Sequence, residues 1–76
     1  NKILKIVIPS ENHTPEVFAR LFEDDTLGIQ SLSFEKDAKD TIYIVKFEEA
    51  EDSRFVPLMN QLKTISEIKS VFWENA

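Results

Sequence analysis

The sequence predicts an α+β domain: a four-stranded antiparallel sheet with two helices on one face. Three observations carry this. Four segments read as strands from their β-branched or alternating residues, two segments repeat apolar residues at helical spacing, and the six follow one another as strand–helix–strand–strand–helix–strand.

The first segment, Lys2–Pro9 (KILKIVIP), is rich in β-branched residues and sets Leu4, Ile6 and Ile8 against Ile3, Lys5 and Val7. A helix follows. Thr14 suits its N-cap, Pro15 its first position, and Glu16 lies near the positive end of the helix dipole. Val17, Phe18, Leu21 and Phe22 form its apolar face, and Gly28, the only glycine, closes the exit with a positive φ. Two strands come next around the polar turn KDAKD, one carrying Ile29, Leu32 and Phe34, the other Ile42 to Phe47. The second helix carries Phe55, Leu58, Met59, Leu62 and Ile65 as a stripe. Ser53 is its expected cap, because Asp52 as the cap would set Pro57 deeper and remove a backbone hydrogen bond. The closing segment, EIKSVFWEN, alternates again.

This order is that of a ferredoxin-like βαββαβ sandwich, expected here with strand order 4-1-3-2 over residues 1–76 as a single domain. The last strand then lies beside the first, with Val71 and Trp73 on the helix side and Ile68 packed next to them. Such pairing ties down an end that would otherwise fray.

Seventy-six residues with 42% apolar content, six of them Phe, suit one small packed domain. Without cysteine, disulfides, thiolate zinc sites and thiol catalysis are excluded. A net charge of −5 without a basic stripe argues against nucleic-acid binding. No apolar run approaches the length of a membrane span. A start at Asn1 rather than Met is the mark of a processed chain or, as expected here, of a domain cut from a longer protein.

The second face of the sheet is the more informative. By parity it carries Ile3, Lys5 and Val7, then Ser31, Ser33 and Glu35, then Ile42, Ile44 and Lys46, then Ser70, Phe72 and Glu74. In the third strand Tyr43, Val45 and Phe47 compete for the core, so the opposite parity is the alternative there. Ile3, Val7, Ile42, Ile44 and Phe72 then adjoin one another, and an exposed contiguous apolar set marks an interface. The expected partner is a second copy, another part of the parent chain, or another protein. Scattered apolar surface residues are the plainer alternative.

The loop PSENHTPE joins the first strand to the first helix. Asn12, His13 and Thr14 lie where free N–H groups of a helix start can hold the carboxylate of an amino acid or another small ligand. Helix initiation alone also accounts for these residues, and one His without Cys or a second His is poor metal chemistry. The acidic clusters Glu23–Asp25 and Glu48–Asp52 lack the spacing of a calcium loop and read as solvated ends and turns. Neither metal, cofactor nor catalytic residue is expected.

The size, element order and apolar pattern resemble the ACT domain, a ligand-sensing module. Its members often bind amino acids where the first strand meets the first helix, at an Asp-x-Pro-Gly type of turn. Here the turn reads PSENHTPE, without the glycine. The end, LKTISEIKSVFWEN, resembles the close of the C-terminal ACT-like domain of the MgtC/SapB family of bacterial inner-membrane proteins, through Ile68, Val71, Trp73 and Glu74. That resemblance implies a non-catalytic regulatory or protein-interaction domain. It would be cytoplasmic, tethered at the inner membrane through a parent segment, and linked to magnesium limitation and intracellular survival. The alternative is an amino-acid sensor regulating an attached enzyme. An acylphosphatase-like enzyme would need a Gly-rich loop with Arg after the first strand, and PSENHTPE has neither.

Overall fold

The computed structural model describes residues 2–11, 19, 28–48 and 51–75. The expected first helix, with its cap at Thr14 and its stripe of Val17, Phe18, Leu21 and Phe22, lies outside the described residues.

Four strands form one antiparallel sheet: β1 (Lys2–Pro9), β2 (Ile29–Lys36), β3 (Asp40–Phe47) and β4 (Ser70–Asn75). Their order across the sheet is β2-β3-β1-β4, so β1 and β3 occupy the centre. β1 is paired on both sides, to β3 from Lys2↔Phe47 to Pro9↔Asp40 and to β4 from Lys2↔Asn75 to Val7↔Ser70.

Among the described residues, the helix Asp52–Leu62 covers one face. Its Phe55, Met59 and Leu62 are buried with Leu4, Ile6 and Ile8 of β1 and Val45 and Phe47 of β3. Trp73, Val71 and Ile68 pack against this cluster. The Phe55 ring meets Phe47 and Trp73 edge-on, with centroids 5.5 and 5.2 Å apart. Edge-to-face contacts of this kind add to the stabilisation from burial alone.

The helix starts earlier than its sequence indicates. Glu51, not Ser53, is the N-cap; its side chain makes no capping hydrogen bond, and Pro57 lies inside the helix. The Glu51 carbonyl accepts from the N–H groups of Arg54 and Phe55, each at 3.0 Å. Two tertiary contacts favour this start. It buries Phe55 in the core and places Asp52 2.7 Å from the Lys2 ammonium. Pro57 and Ser53 are both exposed, so the carbonyl that Pro57 leaves unpaired turns to water rather than to the core. At the other end no glycine caps the helix. The chain leaves through i→i+3 turns, and the Thr64 hydroxyl donates to the Gln61 carbonyl at 2.7 Å.

Ile29 and Leu32 are three residues apart, a spacing that would put them on opposite faces of a regular strand. A bulge at Gln30 removes the conflict: Ile29 pairs with Phe47, Ser31 with Lys46 and Leu32 with Val45. Both side chains therefore share the helix-covered side. Just before the bulge, Gly28 adopts φ +61°, and its carbonyl accepts from the Glu48 N–H at 2.8 Å. Among the described residues, a Cβ there would meet only Glu48 Cβ, at 3.9 Å, an ordinary contact. Gly28→Ala should lower stability by about 1 kcal/mol through the backbone alone. An unchanged urea midpoint would contradict this.

The β2–β3 turn is held by Asp37. Its Oδ1 accepts from the N–H groups of Lys39 and Asp40, each at 2.7 Å. Those two hydrogen bonds, Asp40's first, hold its carboxyl below the ordinary aspartate value. The unfolded chain therefore binds this proton more readily than the folded one. The associated stability is present above about pH 4 and is lost as pH falls through the lowered value. A side-chain carboxyl titration by NMR should show Asp37 with a midpoint below that of a free aspartate; a midpoint at or above the free value would refute the assignment.

Candidate functional site

The outer face of the sheet is set directly by the register. One row across β3, β1 and β4 is Ile42, Val7 and Ser70; the next is Ile44, Lys5 and Phe72; the third is Lys46, Ile3 and Glu74. On β2, Glu35 lies beside Ile42 and Ser33 beside Ile44. All five expected interface residues thus share one face. Ile3, Val7, Ile42 and Ile44 are half-buried, and Phe72 is 48% exposed. Tyr43, Val45 and Phe47 point to the other side, where Val45 and Phe47 are buried.

Lys5 stands at the centre of this face. Its ammonium is 3.6 Å from Glu74 Oε1 and 5.8 Å from the centroid of the Phe72 ring. Parity alone identifies it, because Lys5 alternates with Leu4 and Ile6, whose side chains are buried.

The opposite face has a cation of its own. Lys2 shares the parity of Leu4, and its side chain is only 9% exposed. Its Nζ donates to Asn75 Oδ1 at 3.1 Å, pairs with Asp52 at 2.7 Å, and lies 4.2 Å from the Trp73 ring centroid and 5.6 Å from that of Phe55. The contact explains how a tryptophan so near the chain end is held: one cation joins the start of β1, the end of β4 and the start of the helix.

At the other end of the sheet the three connections meet. The Ser10 N–H donates to the Lys39 carbonyl and its hydroxyl to the Asp37 carbonyl, both at 2.9 Å. The Lys69 ammonium lies 3.3 Å from both Asp40 oxygens. Pro9, Glu11, Ala38, Lys39, Asp40 and Lys69 line an open cleft of about 600 Å³. The candidate ligand residues Asn12, His13 and Thr14 come after Glu11 in the chain but lie outside the described residues. It could not be read from the sequence, since its walls come from segments some 30 residues apart. Among the described residues, no three or more His, Asp or Glu side chains gather as metal ligands, and no helix is long and apolar enough to cross a membrane.

No family model matches the chain, and no curated protein does. Solved structures do. The C-terminal domain of the MgtC protein from Mycobacterium tuberculosis superposes with a TM-score of 0.67 at 11% identity, over 99% of this chain and 85% of that one. The ACT domain from GTP pyrophosphokinase of Chlorobium tepidum superposes with a TM-score of 0.60 at 16% identity, over 96% and 95%. The chain folds as an ACT-like domain. At these identities the likeness is one of fold. Among the described residues, the outer sheet face and the cleft beside Glu11 are open to a ligand or partner.

Proposed function

We propose that this ACT-like domain is a non-catalytic regulatory or protein-interaction module that works through its outer sheet face. We further propose that it is the cytoplasmic C-terminal domain of an MgtC/SapB-type bacterial inner-membrane protein. One observation carries the first statement: Ile3, Val7, Ile42, Ile44 and Phe72 surround Lys5 on a face that no described element covers. The second is supported by the MgtC superposition and by the closing pattern of Ile68, Val71, Trp73 and Glu74.

Changing Ile44 and Phe72 together to serine should abolish association while leaving the fold intact, because neither belongs to the buried cluster. Association measured by sedimentation, with the fold checked by circular dichroism, tests this; unchanged association would refute the role of the face. The parent is tested separately by the gene upstream of Asn1. Several hydrophobic spans would support the membrane protein, and an enzyme domain would overturn it.

A second reading rests on the cleft. Lys39 and Lys69 stand there with Asp40 and Glu11, a mixed-charge lining that suits a zwitterion such as an amino acid. Calorimetric titration with a panel of amino acids tests it, and absence of both heat and thermal shift across the panel would remove it.

A further inference from the structure

The outer face also carries information about what covers it. Its charges are arranged, not scattered. Lys5 and Lys46 lie on the two central strands, whereas Glu35 and Glu74 lie on the two edge strands. The centre of the apolar set is therefore positive and its rim negative.

Among the described residues, the Lys5 ammonium has the 3.6 Å ion pair with Glu74 and the Phe72 ring, and no hydrogen bond. It has three donors, which water can satisfy while the face is open. A partner that covers the face removes this water. Covering with apolar groups alone would leave a desolvated cation beside one loosely held carboxylate, which is costly.

A second copy meets this requirement poorly. A two-fold axis through the middle of the apolar set brings Lys5 against its own twin. The area is also small. Four strands about 4.8 Å apart and about 20 Å long present on the order of 400 Å². A standard stable interface takes about 800 Å² from each partner.

An α-helix fits better. About 13 residues span 20 Å, and one apolar stripe covers three strands. Such a helix would also complete a third layer, opposite the Asp52–Leu62 helix.

We infer that the occupant of the outer face is a short amphipathic helix whose apolar stripe is interrupted at its middle by one Asp or Glu, which pairs with Lys5. This rests on the proposed role of the face and names its partner. The small area makes the contact weak unless the helix is tethered nearby, which suits a regulatory contact within one assembly.

The test uses the 76-residue chain, labelled with nitrogen-15, and three synthetic amphipathic peptides of about 14 residues (about 20 Å as helices). They share one leucine stripe and differ only in a central Glu, Gln or Lys. The Glu peptide should shift the amides of Ile3, Lys5, Val7, Ile44 and Phe72 and bind at least about tenfold more tightly than the Lys peptide. Lys5→Glu should reverse that order, and Lys5→Met should erase it, with each variant's fold checked by its thermal melt. Equal binding of the three peptides at this face would overturn the carboxylate while leaving the interface standing. Self-association lost on changing Ile44 and Phe72, with no peptide bound, would make a second copy the occupant and overturn the helix. A strict monomer with no peptide-induced shift on this face would overturn both.

Discussion

Phe55→Ala should lower stability by about 3–5 kcal/mol, the usual range for removing a fully buried aromatic ring. Phe55 is the pivot of the core. Its ring touches Phe47 of β3 and Trp73 of β4, and the Lys2 ammonium lies 5.6 Å from its centroid. Little can move in to fill the space, because two of these neighbours are held by strand pairing. A domain of this size has a total stability on the order of 4–11 kcal/mol. The variant should therefore lose a large share of the domain's stability. Urea unfolding followed by Trp73 fluorescence reads this directly; a loss below about 1.5 kcal/mol would show that the core repacks.

Lys2→Glu is the second large effect, and it has the opposite character from a cavity. It places a carboxylate beside Asp52 and against the negative faces of the Trp73 and Phe55 rings, at a site with little water. An uncompensated charge in such a place costs about 3 kcal/mol or more. Lys2→Met keeps the apolar stem and should stay within about 1 kcal/mol of the parent, because Asp52 is 74% exposed and solvates readily once unpaired. The two variants together separate charge from packing. Equal destabilisation by both would mean that loss of the ammonium, rather than the introduced carboxylate, accounts for the effect. If Lys2→Glu were as stable as the parent, the clasp would contribute nothing.

Much of the fold was legible because strand alternation is local. A period of two assigns each residue of β1 to a face without knowledge of its partners, so Ile3, Lys5 and Val7 separate from Leu4, Ile6 and Ile8 in the sequence itself. The same rule would have exposed Lys2 as a cation on the core side, a position that calls for a partner. The bulge at Gln30 was not legible. One inserted residue reverses the parity of every later residue in the strand, and only pairing with β3 reveals it.

The helix start failed for a related reason. Capping and proline rules are worth about 1–3 kcal/mol each. They lost to contacts made elsewhere in the chain, the burial of Phe55 and the Lys2–Asp52 pair. The candidate site shows the same division. The five apolar residues of the outer face were found by parity, whereas the cleft joins Glu11, Lys39 and Lys69 from three separate connections and has no local signature.

By itself, then, the sequence determined the four strands, the Phe55–Met59–Leu62 stripe and the composition of each sheet face, because periodicity is written residue by residue. Tertiary structure decided the bulge, the early helix start, the cation clasp at Trp73 and the cleft at the far end of the sheet. Each of these depends on groups distant in the chain, whose mutual contacts outweigh the local preferences of the residues involved.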